Sequence, residues 1–266
     1  MKRLPILVAG LCLLGAAPPN PLVRARQYYN QQQYDAAIAA AHQARLNPAL
    51  ADAAGLVLGR AHLERYRGTD DAADLAAARD ALVGIDATRL TARDRQDLAV
   101  GYGELLYYGG RFGAAAEMFG VALSSLDPAR SSDQEALLDW WAIALDREAQ
   151  PAGEAARVRI YARIVARMED RATADPPSAV AMYWLAAAAA GAGDPDRGWH
   201  AAIAAWIRAP LAAVPRAALR ADLEQLVQQV IIPMRARAAA EGADASPAVA
   251  AMQSEWDAVK EIAIRR

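Results

Sequence analysis

Residues 103–123 read GELLYYGGRFGAAAEMFGVAL, two helix-favouring segments joined by a pair of glycines. Small residues stand at Gly103, at Ala115 twelve positions later, and at Ala122 seven positions beyond that. Residues seven apart lie on one face of a helix, so Ala115 and Ala122 form a small stripe that Gly103 faces from the preceding helix. Small side chains let helix axes approach closely. The stretch therefore predicts two antiparallel helices that touch at their smallest side chains, with the bulky Phe119 beside the contact.

The same spacing of small residues occurs twice more in the chain. The two further sets are Ala25, Ala37 and Ala44, and Ala186, Gly198 and Ala205. A helix-breaking turn from Gly191 to Pro195 separates the first small residue of the last set from the second. The clearest helix pair is predicted over Asp94 to Tyr108 and Phe112 to Ser124. A repeated unit of this kind predicts an array of stacked helix pairs, which builds a surface rather than a reaction centre.

The composition favours an all-α protein. Hydrophobic residues make up 55% of the 266 positions, yet there are only 2 phenylalanines, and the chain is rich in alanine, the residue with the best helix propensity. No segment shows sustained alternation of apolar and polar residues, so a sheet is not predicted. The formal net charge is −2, and no basic stripe is evident, which argues against binding of nucleic acid through its phosphates.

The amino terminus has the pattern of an export signal over residues 1–17. It combines a basic start, an apolar stretch over residues 4–14 and small residues before Pro18. We therefore expect an exported bacterial protein, periplasmic or secreted. Proline is unfavourable directly after a cleavage site, so an uncleaved signal acting as a weak N-terminal anchor is an alternative. Lipidation of Cys12, the only cysteine, is a weaker alternative because the bulky Leu11 precedes it.

Proline, glycine and asparagine breaks divide residues 18–210 into about five helix pairs, two of them divergent in sequence. We expect no integral membrane span in the mature chain, because no segment is apolar over a sufficient length. Residues 211–266 differ from the rest, since Arg216 to Val230 and Val249 to Ile262 each carry an apolar face. We interpret them as C-terminal capping helices that cover the open end of the array. Pro233 is expected to kink or end the first of them.

The repeated unit resembles the tetratricopeptide repeat family over roughly residues 18–210. Residues 103–123 look like one complete repeat, with a small residue in the first helix, the turn aromatic Phe112, the bulky Phe119 and a final Ala-Leu. Two further copies match at Ala25, Tyr28, Tyr34, Ala37 and Ala44, and at Ala186, Gly193, Gly198, Ala205 and Pro210. The resemblance implies a right-handed α-solenoid of antiparallel helix pairs.

The second unit departs from the family pattern. Its candidate residues Gly59, Ala78, Ala81 and Leu82 fit only if the turn between the helices gains about three residues. The unit from Trp140 to Glu169 cannot be aligned to the motif.

In the family that the chain resembles, the first helix of each repeat lines a concave groove that receives peptides or partner proteins. The resemblance implies groove residues from four units: Arg26, Tyr29 and Asn30; Arg60 and Glu64; Glu104, Tyr107 and Tyr108; and Tyr183. Tyrosine and arginine are frequent at binding hot spots. The expected function is a non-catalytic scaffold that binds a protein or peptide in the cell envelope. Ordinary surface residues without a partner are the alternative interpretation of these positions.

Tryptophans give a further prediction about the core. Trp140 and Trp141 are adjacent, so their side chains point about 100° apart on a helix. One of them is expected in the core and the other partly exposed.

The sequence lacks a recognisable catalytic or cofactor motif. His42, His62 and His200 have no metal-binding spacing and are interpreted as helix-surface or groove residues. No nucleophile elbow, phosphate loop or dinucleotide fingerprint is present, so no enzyme activity, cofactor or metal is predicted. Two alternatives stay open. One is an all-α enzyme or small-molecule-binding protein with a pocket in the concave face. The other is a structural subunit that self-associates through Leu219 to Val230 or the helix that holds Trp256.

Overall fold

The computed structural model describes residues 20–126, 131–212 and 219–264. Every regular element in these ranges is helical, so the prediction of an all-α protein is confirmed. The predicted export signal over residues 1–17 lies outside the described residues. Among the described helices, none combines the length and the apolar character needed to cross a membrane.

The chain divides into two compact units, residues 1–86 and 87–266, which we call the N-terminal and C-terminal units. The described part of the N-terminal unit contains α1 (Pro21–Asn30), α2 (Tyr34–Arg45), α3 (Ala51–Thr69) and α4 (Ala72–Leu82). Each helix packs against the next, and α1 also packs against α3. The core of this unit is built largely from alanines such as Ala25, Ala41 and Ala54, with the larger Leu22 and Leu58 in the same cluster.

The C-terminal unit begins with a short 3-10 turn, Ala87–Arg89. Six helices follow as three pairs: α5 (Ala92–Tyr108), α6 (Phe112–Ser124), α7 (Ser131–Ala149), α8 (Glu154–Thr173), α9 (Ala179–Gly191) and α10 (Pro195–Arg208). The last described helices are α11 (Leu219–Leu226), α12 (Ile232–Ala239) and α13 (Ser246–Ile264). Large apolar side chains such as Phe119, Ile164 and Trp199 are fully buried in its core.

Three helix pairs are joined by the same backbone turn. In each, one N–H donates to the carbonyl five residues earlier: Gln33 to Tyr28 at 2.9 Å, Arg111 to Leu106 at 2.8 Å and Asp194 to Ala189 at 3.1 Å. The residue before each donor has a left-handed backbone: Gln32 with φ 59°, Gly110 with φ 69° and Gly193 with φ 90°. This is the Schellman motif of helix ends. Each left-handed residue lies seven positions after the first small residue of its set, so the turn repeats in the same phase as the sequence pattern.

Two of the repeated pairs show how small residues allow close packing. A Cβ atom on Gly198 would lie 3.1 Å from the carbonyl oxygen of Ala186, so the predicted contact of small residues is confirmed in the α9–α10 pair. In the α5–α6 pair, a Cβ atom on Gly103 would lie 2.5 Å from Cε1 of Phe119. The ring of Phe119 therefore lies directly over Gly103 rather than beside the contact, and Ala115 is buried next to it.

The second helix pair corrects the predicted alignment. A Cβ atom on Gly59 would lie 2.5 Å from Cγ of Leu82, so Gly59 faces Leu82 as Gly103 faces Phe119. Leu82 comes 23 positions after Gly59, whereas Phe119 comes 16 positions after Gly103. The insertion is therefore seven residues, not about three. The reason is that α3 continues to Thr69 and α4 begins only after the N-cap Asp71.

Side-chain contacts also connect alternate helices of the C-terminal unit. The rings of Tyr107 on α5 and Trp140 on α7 are 5.2 Å apart. Arg163 on α8 donates to Glu117 on α6 at 2.7 Å, and α7 packs against α9. Within this unit, the first helices of successive pairs are therefore neighbours, and so are the second helices α6 and α8.

The C-terminal helices differ from the repeated pairs. Helices α11 and α12 are continuous through a π-helical turn, Val227–Ile231. Pro233 does not end this helix, as one of the two expectations had it, but lies at the start of α12. Proline has no N–H to donate to the carbonyl four residues earlier. The wider π-helical turn just before Pro233 accommodates the missing hydrogen bond without ending the helix. Helix α13 packs on α10 and α12 and fully buries Trp256.

Candidate functional site

The predicted groove residues of the N-terminal unit come together across α1 and α3. The hydroxyl of Tyr29 donates to Oε1 of Glu64 at 3.4 Å, and the guanidinium of Arg60 lies 6.0 Å from the centre of the Tyr29 ring. These contacts bring Tyr29, Arg60 and Glu64 into one cluster. Arg26 and Asn30 are exposed on α1, within a helical turn of Tyr29.

Tyr34 joins this cluster, although the sequence analysis did not place it in the groove. Its ring meets that of Tyr29 edge to face at 5.9 Å. Burial raises the pKa of the Tyr34 hydroxyl, the charge of Glu64 raises it further, and Arg67 and Arg60 act in the opposite direction. The sequence feature that indicates this role for Tyr34 is its position at the turn, where the family that the chain resembles has an aromatic residue.

A shallow depression of about 340 Å³ lies beside this cluster, lined by residues 32–36 and Arg65. Arg65 forms ion pairs with Asp35 at 2.8 Å and with the buried Asp74 at 3.1 Å. Nδ1 of His62 lies 2.7 Å from Oδ1 of Asp74. The prediction of a helix-surface or groove role for His62 is therefore wrong, because its ring is mostly buried and holds a buried carboxylate in place.

A second cluster lies in the C-terminal unit and is entirely aromatic. Its rings stack edge to face or tilted: Tyr107–Phe112 at 5.3 Å, Tyr107–Trp140 at 5.2 Å, Tyr107–Tyr108 at 5.7 Å, Tyr108–Trp140 at 6.2 Å and Phe119–Trp140 at 5.8 Å. We call these five residues the aromatic cluster. Tyr107, Tyr108 and Trp140 are half-buried, so they offer ring surface to a partner. Trp141 is buried, which confirms the prediction for the tryptophan pair.

Glu104 does not lie on an open groove surface. Only 6% of the residue is exposed, so its carboxylate offers little surface to a partner. Side chains of a helix lean toward its N-terminus, and Tyr108 therefore leans over the turn that holds Glu104. The aromatic residues around this position, rather than its carboxylate, form the accessible surface.

Tyr183 lies on α9, the first helix of the third pair in the C-terminal unit. It is half-buried, and its ring lies 5.4 Å from that of Trp184. Nε1–H of Trp184 donates to Oδ1 of Asp139 on α7 at 2.7 Å, and the N–H of Val180 donates to Glu135 at 3.2 Å. These two bonds hold α9 against α7 and fix the position of Tyr183.

Within the described residues, no group of three or more His, Cys, Asp or Glu side chains is placed to hold a metal ion. Comparison with protein-family models, with curated proteins and with solved structures finds no match to this chain. The resemblance to tetratricopeptide repeats therefore rests on the residues and the geometry described above.

Proposed function

We propose that this chain is a non-catalytic helical-repeat scaffold, similar to tetratricopeptide-repeat proteins, that binds a protein or peptide partner. The observation that carries the proposal is the recurrence of one unit at three places. The spacing of small residues, the left-handed turn residue and the bond to the carbonyl five residues earlier recur together in phase. We further propose that these pairs form a right-handed solenoid and that the chain acts in the cell envelope after export.

The aromatic cluster supports a binding role. Tyrosine and tryptophan supply large contact area with few rotatable bonds, and they are enriched where binding energy is concentrated. The rings of Tyr107, Tyr108 and Trp140 already pack against one another. Little conformational entropy is then lost when a partner arrives, and preorganisation of this kind raises affinity.

The cluster of Tyr29, Arg60 and Glu64 offers a different kind of contact. It joins an aromatic face to a cation and a carboxylate, so it suits polar groups of a partner. We propose that it contributes specificity, while the aromatic cluster contributes most of the affinity.

The test is affinity capture from a cell-envelope extract with the mature protein, residues 18–266, as bait. A partner identified by mass spectrometry is then titrated against the purified wild type and Tyr108→Ala. We expect Tyr108→Ala to retain the helical circular dichroism spectrum and to bind about tenfold more weakly or worse, as hot-spot tyrosines do.

Tyr66→Ala is the matched control, because Tyr66 lies on α3 outside both clusters. It should bind like the wild type. Equal affinity of Tyr108→Ala and wild type for every captured protein would overturn the proposal.

A further inference from the structure

Helix α8 carries an arginine at every fourth position. These residues, Arg159, Arg163, Arg167 and Arg171, are called the arginine row below. Residues four apart are neighbours on a helix surface and are separated by about 6 Å along its axis. No basic stripe is evident in the composition of the whole chain, whose formal net charge is −2, but the bounds of α8 bring these four cations into one row.

Internal carboxylates neutralise this row only in part. Arg163 pairs with Glu117 of α6 at 2.7 Å, and half of the Arg163 side chain stays exposed. Arg167 lies with its guanidinium 4.8 Å from the centre of the Trp141 ring. In the described part of the chain, the structure shows no ion pair for Arg159, Arg167 or Arg171.

The arginines also affect one another. Burial lowers the pKa of Arg167, and the positive charges of Arg171 and Arg163 lower it further. Like charges along the row therefore repel, and an anion bound beside them would relieve that repulsion.

A shallow apolar depression of about 710 Å³ adjoins the row. Its lining consists of three alanines, one isoleucine and two arginines of the row: Ala156, Ala162, Ala166, Ile160, Arg159 and Arg163. An apolar strip beside a cationic row matches a ligand that has an apolar stripe beside an anionic one.

We propose that α8 docks an acidic amphipathic segment of a protein partner. Its carboxylates would pair with Arg159, Arg167 and Arg171, and its apolar side chains would fill the depression around Ile160. Arginine binds carboxylates through two parallel hydrogen bonds, and carboxylates four residues apart on a partner helix match the spacing of the row. A phosphate polymer carries no apolar side chains, and a flat membrane surface does not project into a depression. The apolar depression therefore favours a protein segment.

This surface is distinct from the one in the proposed function, which lies on first helices, whereas α8 is a second helix. The two proposals can therefore fail separately. Tyr108→Ala should not change binding at α8, and arginine substitutions on α8 should not change capture through the aromatic cluster.

The experiment measures fluorescence anisotropy of a labelled synthetic helical peptide with glutamate at every fourth position beside a stripe of leucines. The wild type should bind it, with affinity falling as salt rises. The triple variant Arg159→Gln/Arg167→Gln/Arg171→Gln should bind about tenfold more weakly. The double variant Arg159→Gln/Arg171→Gln keeps the contact of Arg167 with Trp141 and should show part of the loss with an unchanged melting temperature.

The matched control removes three exposed arginines from elsewhere, as Arg93→Gln/Arg111→Gln/Arg237→Gln, and so changes the net charge equally. It should bind the peptide like the wild type. The proposal is overturned if the wild type does not bind the peptide, if both triple variants lose equal affinity, or if a peptide with the same composition and scrambled order binds equally well. Preferential binding to phosphatidylglycerol vesicles, lost in the row variant, would assign the row to lipid and also overturn it.

Discussion

A Cβ atom on Gly103 would lie 2.5 Å from the ring of Phe119, which is fully buried. Protein interiors are close-packed, so neither the ring nor the α5 backbone can move without cost. We expect Gly103→Ala to lower the free energy of unfolding by about 1–3 kcal/mol, measured by urea denaturation with circular dichroism.

The control for this substitution is Gly68→Ala, because a Cβ atom on Gly68 meets nothing within 4 Å. Alanine has the higher helix propensity, so this change should be neutral or stabilise by up to about 1 kcal/mol. A similar loss in both variants would mean that the close approach of α5 and α6 does not limit stability.

Single residues also show where sequence reasoning succeeds and where it does not. The turns at Gly110 and Gly193 are predictable because glycine tolerates the left-handed backbone. The same turn at Gln32, with φ 59°, has no glycine to mark it, and only its phase with Ala25 indicates it. The burial of Glu104 depends on how the helices pack, and a pattern along one helix does not contain that information.

At the scale of helices, Tyr161 of α8 joins three elements. Its hydroxyl donates to Asp146 of α7 at 2.8 Å, and its ring fills the space left by Gly191 of α9, where a Cβ atom would lie 2.5 Å away. A hydrogen bond to a charged group contributes about 1.5–3 kcal/mol. We expect Tyr161→Phe to lose a stability of this order at neutral pH, measured by urea denaturation.

The same bond predicts a pH dependence. Burial raises the pKa of Tyr161, and the hydrogen bond and charge of Asp146 raise it further. The unfolded tyrosine ionises near pH 10, while the folded one stays protonated. The contribution of Tyr161 is therefore complete below about pH 10 and is lost as pH rises above it. The stability difference between wild type and Tyr161→Phe should shrink in this range, and a constant difference would contradict the assignment.

Helix ends show the same division between predictable and unpredictable features. The bounds of α6 and α10 follow from their flanking glycine, proline and aspartate residues, and the predicted limits Phe112 to Ser124 match the structure. Helix α3 runs through Gly68 to Thr69 because one glycine does not break a helix that packs on both neighbours. Pro233 is tolerated because a π turn before it redistributes the backbone bonds.

At the scale of the whole molecule, net charge conceals how charge is distributed. The formal charge of −2 is a sum, and it excludes a strongly basic protein without excluding a basic row on one helix. The spacing of four in the arginine row is visible in the sequence. Which arginines of the row have a partner depends on Glu117 and Trp141, which contact α8 from other helices. Only the packing therefore shows which of these cations lack a carboxylate.

The two units have separate cores, and this separation has a measurable consequence. All 6 tryptophans lie within residues 87–266, so tryptophan fluorescence reports the C-terminal unit alone, while circular dichroism reports both. Ala25 is fully buried in the N-terminal core. Ala25→Leu should overpack this core and lower its free energy of unfolding by about 1–3 kcal/mol. We expect the fluorescence transition in urea to stay in place while an earlier phase separates in circular dichroism. Equal shifts of both signals would show instead that the units unfold as one cooperative structure.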